Sequence, residues 1–279
     1  MQNVTLNNGV KMPIVGFGTF LIHGTECEES VLEAIKVGYR HIDTAEAYGN
    51  EEFVGNAINT CGVPREELFI TTKVNFKSYE YETAKATVLR SLEKLQVEYL
   101  DLVLLHWPFG NYYAAYRALE DLYDEGKVKA IGISNFNPDR MIDLLNFNRV
   151  TPAVNQVETH LLSQQTELID WMKKYNVQHE AYAPLGQGRK NEMFENPELV
   201  KVAQKHGKTP AQIALKFQIQ RGIVVIPKTT NPSRMKENID LFNFELSEDE
   251  INILKRLDKN DPMIGNPHLP TFVESAMNW

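Results

Sequence analysis

The residues best able to do chemistry in this 279-residue chain stand where short apolar runs give out. Asp43 ends the run RHIDTA, Lys73 ends LFITTKV and His106 ends YLDLVLLH, while Tyr48 follows Asp43 on the way into a helical pattern. A carboxylate at the end of a buried strand is costly unless a cation meets it. A lysine at a neighbouring strand end supplies one. That ammonium would stabilise phenolate and pull Tyr48 below the ordinary tyrosine pKa of about 10. Proton donation by such a group is typically worth roughly 10²–10⁴-fold in rate. His106 would add a second hydrogen bond to an incoming oxygen. The set suits polarising and protonating a carbonyl oxygen. It offers no nucleophile beside a base, no metal-ligand cluster and no carboxylate pair at glycosidase geometry.

Each residue alone has a plain structural explanation. Asp43 could cap the following helix, Lys73 could be solvated, and His106 could simply be a satisfied imidazole. The other run ends carry Ser134-Asn135, Gln156, Tyr182 and Lys228, all polar. A ring of such residues at one end of a sheet is a site. Lys228 and Arg234, in IPKTTNPSRMKENIDLF, form a second group at the start of a helical pattern. Two cations beside a helix N-terminus make an anion site, and beside a carbonyl-reducing centre a dinucleotide phosphate is its natural occupant.

The elements that must carry these residues follow from periodicity. Val4-Leu6 and Val10-Met12 flank Asn7-Asn8-Gly9, a hairpin signal within residues 1–13. Eight apolar runs then alternate with amphipathic stretches such as TAKATVLRSLEKLQ. Asn137-Pro138 and Thr209-Pro210 read as helix starts. Eight strands, each followed by a helix, predict an α/β fold, a (β/α)₈ TIM barrel with the strand C-termini forming the site. An open doubly wound sheet would show a glycine fingerprint after an early strand, and GFGTFL lacks it. The expected organisation is one barrel domain over 1–279, with a loop-like tail at 259–279 near the active-site mouth.

The net charge of −8 argues against nucleic acid and anionic membrane as partners. Cys27 and Cys61 have no metal-ligand spacing and read as thiols of a reducing compartment. The N-terminus lacks a secretory pattern, and no apolar run approaches the roughly 20 residues of a membrane span. The expectation is a soluble, cytoplasmic monomer acting on a small molecule, with no metal.

The motifs VGFGTF, GYRHIDTAEAYGNE, FITTKV, DLVLLHWP, GKVKAIGISNF, VNQVETH, AYAPLGQG and IPKTTNPSRMKENI, in this order, resemble the aldo-keto reductase family over essentially the whole chain. The likeness is to prokaryotic members similar to 2,5-diketo-D-gluconate reductases, with short loops and tail. The resemblance implies a catalytic set at Asp43, Tyr48, Lys73 and His106, with Tyr48 as general acid. It implies Ser134, Asn135 and Gln156 on the nicotinamide carboxamide and Tyr182 stacked on its ring. Lys228, Thr229 and Arg234 match the grip on the adenosine 2′-phosphate, with Glu237 and Asn238 near the adenine, which favours NADPH. The implied activity is NADPH-dependent reduction of aldehydes and activated ketones. The alternative is a cofactor-bound regulatory or scaffold protein with little turnover. Phe20, Asn75, Trp107 and Phe109 are the expected substrate-pocket residues. Asn75 stands where many members of the family have an aromatic residue, Phe20 replaces a common tryptophan, and Ala183 replaces a common serine.

Overall fold

A computed structural model describes residues 2–279, and all eight apolar runs are strands of one parallel sheet. They are β3 (Phe17–Gly18), β4 (His41–Asp43), β5 (Phe69–Val74), β6 (Leu102–Leu105), β7 (Ile131–Ser134), β8 (Val154–Glu158), β9 (Gln178–Tyr182) and β10 (Val224–Val225). Each pairs with its sequence neighbours, in the order β3 to β10. The sheet curls until its edges meet. Val15 bridges Val225 in parallel, Gly16 N–H donates to Val225 O at 2.8 Å and Val225 N–H donates to Ile14 O at 3.0 Å. Closure leaves no free strand edge in the barrel.

The expected hairpin is formed by β1 (Asn3–Thr5) and β2 (Lys11–Pro13), antiparallel, with Gly9 at φ 89° in the turn. It lies across the N-terminal face of the barrel. Asn7 Nδ2 donates to Pro152 O and Asn8 Nδ2 to Lys129 O, just ahead of β8 and β7. Leu6 and Met12 are buried beneath it. The hairpin therefore closes the end opposite the polar strand ends.

Helices α1 (Gly24–Val37), α2 (Glu51–Thr60), α3 (Tyr81–Leu95), α4 (Tyr112–Asp124), α5 (Pro138–Asn146) and α6 (Thr166–Lys174) follow β3 to β8 in turn. After β9 come α7 (Lys190–Phe194), α8 (Pro197–His206) and α9 (Pro210–Gln220), and after β10 come α10 (Pro232–Ile239), α11 (Glu248–Lys255) and α12 (Pro270–Ala276). The start at Thr209-Pro210 is a full capping box: Thr209 Oγ1 accepts from Gln212 N–H, and the Gln212 side chain accepts from Thr209 N–H. Asn137-Pro138 also begins a helix, with the proline at its first position rather than a side-chain cap. At Gly55 an added Cβ would lie 2.5 Å from Lys94 O, so α2 and α3 touch backbone to backbone.

The main apolar core fills the layer between strands and helices, where Ile42, Ile70, Val103 and Leu119 are fully buried. A second cluster, including Leu162, Leu199, Phe217 and Leu254, holds α8, α9 and α11 to the barrel's flank. Toward its C-terminal end the barrel interior is polar: His41, Asp43, Thr71, Lys73, Gln156 and Glu180 are all buried there and linked to one another.

The tail departs from the expected loop. Residues 270–276 form α12, with Pro270 at its first position and Ala276 fully buried. Two turns are too short for a 3.6-residue period to stand out in sequence. Phe272 and Trp279 instead reveal their role through contact, with rings 5.5 Å and 5.3 Å from the ring of Trp107.

Candidate active site

Parallel register brings the strand ends to one rim, with Asp43 opposite Thr71 and Lys73 opposite Leu104. Lys73 Nζ donates to Asp43 Oδ1 at 2.5 Å, to Thr44 O at 2.9 Å and to Tyr48 Oη at 3.4 Å. Its three N–H bonds are thus all committed. Lys73 is 1% exposed and Asp43 2%, so the pair is shielded from water. Burial alone would pull the lysine down, but Asp43 and Tyr48 together push it above its ordinary value. It stays an ammonium.

Tyr48 reaches the rim from a short 3₁₀ turn, Glu46–Tyr48, ended by Gly49 at φ 65°. Buried Asn50 pins that turn. Its Nδ2 donates to Thr19 O and Ile22 O, and its Oδ1 accepts from Thr44 Oγ1. Thr72 Oγ1 donates to buried Glu51 one residue later. The sequence expectation for the Tyr48 pKa is corrected here. Burial pushes it up, Lys73 pulls it down and Asp43 pushes it up again, and the net direction is upward. A half-buried phenolate loses more hydration than one ammonium shared with a carboxylate restores.

His106 follows β6, anchored by its N–H on Val74 O at 3.0 Å. Its ring lies 5.8 Å from that of Tyr48 and stacks on Trp107 at 5.6 Å. Burial, and then the charge of Lys73, hold it well below the ordinary histidine range, so the imidazole is neutral. Nδ1 is buried without a partner. A bare acceptor there costs less than a bare donor, which places the proton on Nε2.

Residues of the next three strands form a connected cradle, with Gln156 in the middle of β8 rather than at the end expected for it. Ser134 Oγ donates to Gln156 O at 2.7 Å. Asn135, in the left-handed region at φ 66°, donates from Nδ2 to His106 O and accepts at Oδ1 from Tyr182 Oη at 2.8 Å. Gln156 Nε2 divides its two hydrogens between Asp43 Oδ2 at 2.8 Å and Glu180 Oε2 at 2.9 Å, which leaves Oε1 to accept from another group. Lys228 follows β10 beside Gly18, where an added Cβ would stand 3.7 Å from Lys228 Cβ. Lys228 and Arg234 are exposed, and among the described residues neither has an acidic partner within 4.0 Å. Asn231 already accepts from the N–H groups of Ser233 and Arg234, so an anion here would be held by side chains more than by the helix end. Thr229 is buried, and its Oγ1 accepts from Asn231 N–H. Glu237 accepts from Thr209 Oγ1, and Asn238 is buried on the inner face of α10. A half-buried aromatic ring, an amide oxygen and two unpaired cations fit the ring, carboxamide and phosphate of a nicotinamide dinucleotide.

The residues expected around a substrate divide by position. Phe20 is 42% exposed, with its ring 4.9 Å from that of Tyr48. Trp107 faces the rim and is clamped by Tyr79, whose hydroxyl donates to Trp107 O and accepts from its N–H. Phe109 is buried behind Trp107, parallel to it at 5.8 Å, and against Phe76. The Asn75 side-chain oxygen is occupied in capping a turn at Lys77 N–H. Phe272 and Trp279, from the tail, complete the aromatic cluster.

Sequence reasoning passed over Asn50, Tyr79 and Glu180. Glu180 had a readable signal, because it lies two residues before Tyr182 in a strand and so shares its inward face. Asn50 and Tyr79 had none, since their roles depend on loops packing against each other.

A sequence profile described as the Aldo/keto reductase family matches residues 15–259. The chain is similar to the glyoxal reductase of Bacillus subtilis, 47% identical over 268 residues, covering 95% of this chain and 96% of that protein. It resembles the crystal structure of an aldo-keto reductase from a Medee basin deep-sea metagenome library at TM-score 0.94 and 44% identity, covering 95% of this chain and 98% of that one. An aldo-keto reductase of Bombyx mori, solved in complex with NADP, matches at TM-score 0.89 and 32% identity over 95% of each chain. Barrel, rim and likeness agree: the chain belongs to the aldo/keto reductase family of oxidoreductases.

Proposed function

We propose that this protein reduces aldehydes and activated ketones to alcohols with NADPH, and that Tyr48 is the general acid. The observation that carries the reading is the 3.4 Å approach of Tyr48 Oη to an ammonium, Lys73, already held by Asp43. A carbonyl oxygen at the rim accepts a hydrogen bond from neutral His106 Nε2–H and a second from Tyr48. NADPH, when bound, supplies the hydride. As negative charge develops on the oxygen, Tyr48 passes its proton across, and Lys73 stabilises the phenolate left behind. The raised pKa of Tyr48 keeps the phenol protonated until that moment. Lys73 stays charged beside Asp43, which argues against a Schiff-base role.

Ser134, Asn135 and Gln156 would hold the carboxamide and Tyr182 would stack on the ring, so that these residues orient the hydride donor. Lys228, Thr229 and Arg234 grip the 2′-phosphate, with Glu237 and Asn238 at the adenine. Phe20 and Trp107, with Phe109 behind and Asn75 beside them, form the walls around the substrate. The glyoxal reductase among its relatives supports small dicarbonyls, glyoxal first, as substrates. Among the described residues no helix is long and apolar enough to cross a membrane; a cytoplasmic, monomeric enzyme is the reading we adopt.

The test is consumption of NADPH with glyoxal, repeated for Tyr48→Phe. The variant should lose about 10²–10⁴-fold in kcat while binding NADPH as before. Full turnover without the hydroxyl would remove Tyr48 from the acid role.

A further inference from the structure

Beneath the rim lies a carboxyl group that this chemistry leaves unused. Glu180, in the middle of β9, is fully buried inside the barrel. Its Oε2 accepts from the same Gln156 nitrogen that serves Asp43. Its Oε1 has no hydrogen-bond partner, and His41 Nε2 stands 3.6 Å from it. The groups facing it are Asp43 and His41 from β4, Lys73 from β5 and Gln156 from β8, with Tyr48 above. On its other flank β10 brings Val224, in register and without charge.

The charges in this interior decide the state of Glu180. Lys73 and Asp43 cancel each other, and His41 is neutral because burial, and then Lys73, pull it down to about 3. A second carboxylate would have no cation of its own, and a buried unpaired charge is expensive. Burial first, and Asp43 second, push the Glu180 carboxyl up to about 8, against the opposing pull of Gln156 and Lys73. Near neutrality it therefore keeps its proton.

We propose that Glu180 is a positioning residue of the reductase site, a proton-holding carboxyl that fixes Gln156 from below and sets the charge under Tyr48. The inference rests on the carbonyl-reducing reading of that site. With both Nε2 hydrogens engaged by carboxyl oxygens, Gln156 can present only Oε1 to the carboxamide of the cofactor. When Glu180 releases its proton to solvent, no bond other than O–H breaks. The new negative charge raises both Tyr48 and Lys73. The phenol then stays protonated to higher pH, and reduction persists there.

Two variants separate the parts. Glu180→Gln keeps an oxygen for Gln156 but cannot titrate, and Glu180→Leu removes the oxygen. Infrared difference spectra of the full chain, wild type minus Glu180→Gln, should carry a protonated-carboxyl band at neutral pH that fades around pH 8. Absence of that band would overturn the proton-holding role. In turnover, the alkaline limb of kcat for reduction should move to lower pH in Glu180→Gln, and an unmoved limb would overturn the coupling to Tyr48. NADPH titration should find Glu180→Leu weaker by about tenfold and Glu180→Gln within about threefold of wild type. Equal affinity in a folded Glu180→Leu would overturn the clamp on Gln156; if that variant does not fold, the glutamine variant still decides the other two points. The infrared reading needs no substrate, so a missing band and a missing activity are separate failures.

Discussion

Lys228 and Arg234 are the residues whose electrostatics are simplest to test. Both side chains are exposed, and among the described residues neither has an acidic partner within 4.0 Å. A hydrogen bond to a charged group is worth roughly 1.5–3 kcal/mol net. Arg234→Ala should therefore weaken NADPH by about tenfold to a hundredfold and leave NADH nearly unchanged. Kd values for both reduced nicotinamides check this, and an equal loss for the two would dismiss the phosphate grip. Tyr48 teaches the opposite lesson at the same scale. The type and position of its neighbour Lys73 suggest a lowered pKa, yet enclosure reverses the sign. A proton donor that holds its proton until charge appears on the substrate still fits the chemistry, because Lys73 is already in place.

Among the elements, the loop between β4 and α2 matters most, since it carries Tyr48. Its geometry depends on Asn50, which bridges the β3–α1 loop and the end of β4 with three buried hydrogen bonds. Removing the amide strands the Ile22 carbonyl and the Thr44 hydroxyl in a buried site and takes one of two donors from Thr19 O. Asn50→Ala should cost about 2–4 kcal/mol in stability, read from a denaturant midpoint, and should lower kcat by loosening Tyr48. A variant equally stable and equally active would show that the turn holds itself. At the tail, α12 does comparable work on the other side of the rim by seating Phe272 and Trp279 on Trp107.

The whole molecule integrates its buried titratable groups into a pH dependence. His41 and His179 are held at about 3, His268 at about 4 and His106 well below its ordinary value, burial being the first cause in every case. The unfolded chain takes up these protons below about pH 6.5 while the native state does not, so stability falls as the pH falls through that range. Glu180 has the opposite sign. Its raised native pKa contributes stability below about 4.5 that is lost as the pH rises toward 8. The balance places the stability maximum near pH 6.5, with a drop of up to about 1.4 kcal/mol per pH unit for each histidine on the acid side. Denaturant midpoints between pH 5 and pH 8.5 check the curve. Stability rising steadily to pH 8.5 would contradict the alkaline decline assigned to Glu180. If residues 1–279 are one domain, as we propose, near- and far-ultraviolet signals should lose structure together.

The sequence by itself determined the order and number of the barrel strands, because a buried parallel strand must be apolar and must stop where polar residues begin. It also marked Asp43, Lys73, His106, Ser134-Asn135, Tyr182 and Lys228 at or just past strand ends, since alternation and run length survive in a linear string; Gln156, read the same way, lies instead in the middle of β8. Closure of the barrel decided the rest. Only curvature brings β4 across to β8 and β9, so that Gln156 joins Asp43 to Glu180, residues 113 and 24 positions from it. Only the packed loops give Tyr48 its burial and hence its pKa direction, and only contact with Trp107 reveals what Phe272 and Trp279 do in the tail. Local pattern specifies elements; solvation and long-range contact, which set proton affinity and orientation, exist only once the chain has folded.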